Sequence, residues 1–111
     1  MTTDSKNDLF AVNVLFHSLR NGELCPENLW EESIVLIEAS SAEEALRKAT
    51  ELVRDKKISY KAENGDQLDW EFSRVVQAFQ IDAQQLMNGT ELFSRHLRTS
   101  EVESLLKPFD D

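Results

Sequence analysis

The chain has 111 residues, 41% of them hydrophobic and 30% charged, and a formal net charge of −9 from 21 acidic and 12 basic side chains. That is enough chain to bury roughly two thirds of its unfolded surface as one domain, and too rich in large apolar side chains for intrinsic disorder. The sign of the charge argues against nucleic acid and anionic membranes as direct partners, because affinity for phosphate comes from cations that displace its counterions; a basic protein is drawn in by the same field.

The N-terminus, MTTDSKNDLF, lacks the basic start and apolar core of a secretory signal, and no apolar run reaches the roughly 20 residues of a membrane span. The one cysteine, Cys25, cannot form an internal disulfide, which fits a reducing, cytoplasmic setting. Without secretion, the sequon Asn88-Gly89-Thr90 signifies only a turn. The expected organisation is a single domain over 1–111, flexible at 1–8 and 110–111.

LFAVNVLFHSL, Leu9 to Leu19, reads as a strand. Phe10, Val12, Val14 and Phe16 share one face, while Leu9, Ala11, Leu15 and Leu19 share the other. A strand apolar on both sides is covered on both sides and belongs in the middle of a sheet. A polar loop follows, broken by Gly22 and Pro26. WEESIVLIEA, Trp30 to Ala39, is the second strand.

The period then changes. Ala42, Ala45, Leu46, Ala49, Leu52 and Val53 fit one helix face. Ser40 or Ser41 caps it, with Glu43 and Glu44 placed for a capping box. Glu43–Arg47 and Glu44–Lys48 are suitably oriented i, i+4 pairs. The small alanines predict close packing on a sheet.

ISYKAENGDQLDWEF, Ile58 to Phe72, predicts a hairpin. A two-residue turn at Asn64-Gly65 would set apolar side chains of one strand on the polar face of the other. A three-residue loop, Glu63-Asn64-Gly65, pairs Tyr60 with Leu68 and Ile58 with Trp70, and gives Gly65 the left-handed position. The strand runs on to Ile81, but Val75, Phe79 and Ile81 have the opposite parity to Leu68, Trp70 and Phe72. Either a bulge near Ser73-Arg74 resets the phase or both faces are covered. DAQQLMNG connects to a predicted last strand, TELFSRHLR. Ser100 and Glu103 give a second capping-box pattern, so a short helix over Val102, Leu105, Leu106 and Phe109, ending near Pro108, is a candidate cover for the first strand's second face. The expected fold is α+β, a mostly antiparallel sheet of about five strands in the order β-β-α-β-β-β, with one main helix on a face and a short C-terminal helix.

Chemistry is sparsely signalled. NGTELFSRHLR, Asn88 to Arg98, gathers Ser94, His96 and Arg98 on one side of a strand, a weak alternative site. A metal would need several converging ligands, and the only other histidine is His17. Cys25 lies near Glu23 and Glu27, which disfavour its thiolate. Asp69 and Glu71 share a strand face opposite Trp70 and read as solvated. No glycine-rich phosphate loop is present. The sequence therefore implies no catalytic residues, no metal and no cofactor. Glu27, Trp30, Glu31 and Glu32 are a candidate docking surface, an aromatic anchor among acids suited to a basic protein.

Four stretches taken together resemble the domain-of-unknown-function family 4288, small bacterial proteins of about this length. They are LFAVNVLF (9–16), WEESIVLIEA with SAEEAL (30–46), SYKAENGDQLDWEF (59–72) and NGTELFSR (88–95). The likeness covers most of the chain from Leu9 to Leu97; the tail from Thr99 is outside it. Phe10 is a departure, standing where the family more often has Trp or Tyr beside the alanine. The resemblance implies a bacterial, cytoplasmic single domain and supplies no activity. It includes Ser94 and Arg95 but not His96. The leading expectation is a non-enzymatic protein-interaction module, in its finer form an immunity or antitoxin-like protein that neutralises a basic toxin. The alternative is a small-molecule-binding or substrate-processing domain with a pocket between sheet and helix. A homodimer built on the doubly apolar first strand is compatible with either.

Overall fold

A strand with apolar side chains on both sides has to be central. In the computed structural model, strand β1 (Asp8–Arg20) indeed lies between two antiparallel neighbours, β2 (Trp30–Ala39) and β4 (Gln67–Ile81). The short strand β3 (Lys57–Lys61) completes a four-stranded sheet of order β2-β1-β4-β3. Helix α1 (Ala42–Val53) follows β2, and helix α2 (Thr99–Leu106) follows an extended segment. The structure describes residues 7–24, 29–82 and 85–107, apart from the Tyr60 side chain. Cys25, Pro26, Glu27, Pro108 and Phe109 lie outside these, as do the expected flexible ends save Asn7 and Asp8; Asp8 already opens β1 and pairs with Ala39.

The fold is α+β with an antiparallel sheet, but the described residues form four strands, not the expected five. TELFSRHLR forms no strand; among the described residues, 90–98 make no ladder with any neighbour. Its alternation marks an extended backbone with a half-buried side, carried by Phe93 and Leu97. That side packs onto a sheet face, and the backbone does not join the sheet's edge.

One face of the sheet is sealed by α1. Phe10, Val12 and Val14 from β1, with Ile37 and Ala39 from β2, are buried against Ala45, Ala49 and Val53 of the helix. Phe16, Phe72, Val75 and Ala78 pack around them. Alanines at the contact let the helix axis approach the sheet closely, so the layer has no room for larger side chains. Ser41 is the N-cap, its hydroxyl accepting the Glu44 N–H at 3.1 Å. The Glu44 carboxylate reaches back to Ser40, accepting its N–H at 2.6 Å and its hydroxyl at 2.9 Å. The ion pairs differ from the expected ones: Arg47 lies between Glu44 (3.6 Å) and Glu51 (3.1 Å), while Lys48 donates to the Glu38 carbonyl at 2.9 Å. Lys48 follows β2 in space, and a fixed carbonyl on the strand outcompetes a mobile carboxylate one turn away.

The hairpin has the longer loop. Tyr60 is opposite Leu68 and Ile58 opposite Trp70, and Gly65 has φ +93° with its N–H donating to Ala62. The phase change in β4 comes from bulges. Phe16 pairs with Phe72 but Leu15 with Arg74, so Ser73 is an extra residue; a second irregularity lies between Val12–Ala78 and Val14–Val75. Phe72 and Val75 can thereby both face α1.

At the other end of β1, Asn21 and Gly22 take positive φ (52° and 84°), the mirror-type two-residue turn that reverses a twisted strand. Asn21 is tied to Gln67 by its backbone (N–H to the Gln67 carbonyl, 2.7 Å) and its side chain (Oδ1 from the Gln67 N–H, 2.9 Å). Asp66 accepts from Asn21, Arg20 and Asn64. These bonds, led by Asn21 and then Arg20, hold the Asp66 carboxyl below the ordinary carboxylate range.

Two outcomes are expected. Ala49→Leu overpacks the helix contact and lowers stability by about 1–3 kcal/mol in urea unfolding. Asp66 titrates lower folded than unfolded, so its contribution is present above the ordinary carboxylate pKa and is lost as pH falls through the depressed value. Asp66→Asn should lower the urea midpoint at pH 7 and make the acid side of the stability–pH curve shallower below about pH 4.

Candidate functional site

The second face of the sheet has a different cover. Register places Leu9, Ala11, Asn13, Leu15 and His17 of β1 on it, beside Trp30, Glu32, Ile34, Leu36 and Glu38 of β2 and Phe79 and Ile81 of β4. Helix α2 does not close this face: none of its residues is buried, and it packs on no other element among the described residues. Its cap also differs from the expected Ser100–Glu103 pattern. The helix starts two residues earlier, with Arg98 at the N-cap and its N–H donated to Glu101 Oε1 at 2.7 Å. The extended segment 85–98 closes the face in part. Phe93 meets Phe79 edge-on at 5.8 Å between ring centres. Leu86 and Leu92 line a hollow of about 140 Å³ with Ala11, Ile34, Leu36 and Ile81.

Because an irregular segment covers less than a helix does, large apolar side chains stay in water here. Trp30, Ile34 and Leu36 are 52%, 51% and 55% exposed. They follow one another on the far face of β2, an edge strand whose outer backbone pairs with no strand among the described residues. Glu32 and Glu38 stand on the same face. Glu31 is opposite Phe16 and therefore points to the helix side. The expected docking group is thus divided: Trp30 and Glu32 share a face, Glu31 stands across the sheet from them, and Glu27 lies outside the described residues.

A polar cluster sits beneath this row. Asn13 is 1% exposed and donates from Nδ2 to Glu32 Oε2 at 2.9 Å. Its Oδ1 is buried without a partner. The same Glu32 oxygen lies 3.9 Å from the Arg95 guanidinium, which is also 5.9 Å from the centre of the Phe93 ring. His17 packs edge-on against Trp30 at 5.2 Å, with its Nδ1 buried and unpartnered. A buried amide without a full set of hydrogen bonds costs stability, so Asn13 marks the site more firmly than any residue singled out from the sequence. Its signal was the lone amide at the centre of LFAVNVLF. It stands where the bulged β4 offers no direct partner, between the Val12–Ala78 and Val14–Val75 pairs.

Ser94, His96 and Arg98 do not converge into a cleft. All three are exposed, and Ser94 and His96 make no hydrogen bond to each other. Asp69 is nearly buried, and Ser59 followed by Gln67 keeps its carboxyl below the ordinary range. Glu71 pairs with Lys57 at 3.1 Å, which raises the lysine. These carboxylates are engaged in holding the hairpin. Among the described residues no three His, Cys, Asp or Glu side chains converge as metal ligands. No helix there is long and apolar enough to cross a membrane.

Fold and surface together define a small α+β domain: a bulged antiparallel sheet backed by one helix, with a partly covered, half-apolar second face. The chain belongs to the family described as Domain of unknown function (DUF4288), which matches residues 9–94. The match runs from β1 into the covering segment and stops one residue before Arg95. No curated protein and no solved structure matches the chain.

Replacing Asn13 by valine removes the unpartnered oxygen and supplies a residue suited to a buried strand. Stability should rise by about 1 kcal/mol in urea unfolding. Asn13→Asp should lower it, since a second carboxylate would be buried beside Glu32.

Proposed function

We propose that the protein is a non-enzymatic interaction module that receives an extended, basic segment of another protein along the outer edge of β2. The carrying observation is the row Trp30, Ile34 and Leu36, about half exposed on one face of an edge strand and interspersed with Glu32 and Glu38. An added strand would satisfy the outer backbone groups of β2, and its alternate side chains would lie over Ile34 and Leu36. The hollow beside them, about 140 Å³, suits one aliphatic side chain. The carboxylates select lysine and arginine at the rim and speed encounter with a basic surface.

A second copy of β2 is a poor occupant of that edge. Full-length antiparallel pairing would set Glu31 against Glu38 twice, and like charges directly opposite destabilise a sheet. In its finer form the reading is a bacterial, cytoplasmic immunity or antitoxin-like protein whose partner is a basic toxin. A small-molecule domain is the second reading. It draws on the hollow of about 340 Å³ at the end of β4, lined by Phe79, Gln80, Asp82, Gly89, Thr90 and Glu91. That hollow lies away from α1, and its two carboxylates favour a cation.

The test uses synthetic ten-residue peptides of alternating lysine and valine, with glutamate–valine peptides as controls, titrated into the labelled protein by NMR. Shifts confined to β2 and 86–95 with the basic peptide, lost in Leu36→Asp and weakened at least tenfold in Glu32→Lys, support the proposal. Equal binding of the acidic peptide, or shifts elsewhere in the sheet, would remove it. Thermal shifts with metabolites or divalent cations that vanish in Asp82→Asn would favour the second reading.

A further inference from the structure

We propose that two copies of the chain associate by exchanging α2, which docks on the part of the helix face of the partner's sheet that α1 leaves bare. The first observation is an unpartnered helix. Eight residues make a helix of about 12 Å, well short of the roughly 12–15 residues an isolated helix needs to persist in water. Yet α2 packs on no other element among the described residues, and Val102, Leu105 and Leu106, spaced i, i+3, i+4 on one face, are 38%, 64% and 77% exposed. The molecule is drawn out to 59 × 34 × 23 Å, with a radius of gyration of 17.4 Å. A compact chain of this length would have about 13 Å.

The second observation is an unfilled place for such a helix. Helix α1 packs on β4, β2 and β1 but does not reach β3. Ile58 of β3, opposite Trp70 on the helix face, is consequently 65% exposed, and Leu52 at the end of α1 is 66% exposed. Trp70, opposite Ile58, and Leu68 on the same face of β4 are only half-buried. This shelf lies next to α1, where a sheet of this kind carries a second helix at the usual interaxial distance of about 8–10 Å.

Charge selects the occupant. The turn from α1 into β3 holds Arg54 and Lys56 against one acid, Asp55, and neither cation forms an ion pair among the described residues, whereas Lys57 and Lys61 alternate with Ile58 and belong to the other face of the sheet. Helix α2 carries Glu101 and Glu103 and no cation. A helix with two acids and an apolar shelf bordered in the chain by Arg54 and Lys56 are complementary, and reciprocal exchange closes the assembly as a two-fold dimer. The contact is independent of the β2 edge.

Light scattering of the full chain after size exclusion tests this. The expected mass is twice the 12.7 kDa of one chain. Leu105→Asp/Leu106→Asp on α2 and Ile58→Asp on the shelf should each give monomers whose urea midpoint is that of a folded sheet, with a loss of helical circular dichroism no larger than the eight residues of a released α2. Mixing the two variants at high concentration should recover dimers held by one of the two reciprocal contacts, since the first keeps an intact shelf and the second an intact helix. Leu36→Asp should remain dimeric. A monomeric parent chain, a dimer indifferent to both variants, or a mixture that stays monomeric would overturn the proposal.

Discussion

Strand β1 carries apolar side chains toward both faces of the sheet, and each face needs its own cover. The arrangement of the molecule follows from how unequally this is met. On one side the cover is a helix whose buried alanines let it lie close. On the other it is an extended segment with a few large side chains, Leu86, Leu92 and Phe93, resting on the sheet at intervals. A helix excludes water along its whole length. A single extended chain excludes it only where a side chain touches. The first face is therefore finished as a core, and the second is left as a surface on which half-exposed apolar groups, a buried amide and a glutamate share space.

The bulges in β4 connect the two faces. An uninterrupted strand cannot place both Phe72 and Val75 toward α1, because odd and even positions point oppositely. The extra residue at Ser73 brings both to the helix. The second irregularity has its consequence on the far side, where it leaves Asn13 without an opposite residue in β4 and turns its amide toward Glu32 on β2. Packing against the helix and the polar cluster beneath the covering segment are thus two results of one adjustment in register.

Much of this was legible in the residues. Alternation in LFAVNVLF and WEESIVLIEA gives β1 and β2, the 3.6-residue spacing from Ala42 to Val53 gives α1, and the apolar pairs Tyr60–Leu68 and Ile58–Trp70 decide the hairpin register. What failed was inference about partners. Alternation in TELFSRHLR reports which side of an extended chain is apolar, and it is silent on whether the backbone bonds to a neighbouring strand or merely lies across one. The capping-box spacing at Ser100 and Glu103 was equally sound locally, yet Glu101 reached the Arg98 N–H first and started the helix two residues earlier. The site was half visible. Trp30 and Glu32 carry an exposed aromatic and a charge, which sequence can flag. Asn13 matters through burial and an absent partner, and those are properties of the assembled sheet.

The two sheet edges pose a final problem. β2 is acidic at Glu31, Glu32 and Glu38, while β3 is basic at Lys57 and Lys61, and both are unpaired outward among the described residues. Edges of opposite sign invite head-to-tail pairing of successive copies, and such a contact does not close on itself. Two features limit it: β3 offers only five residues to the ten of β2, and the β2 edge has a proposed occupant of its own. A helix laid over the face of β3 by a second copy would instead join copies with two-fold symmetry, a contact that closes on itself. A basic segment on β2 neutralises the acidic end. Taken this way, the helix that packs on no other element among the described residues and the apolar row that stays in water answer one requirement, which is to end each contact in a partner that does not extend it.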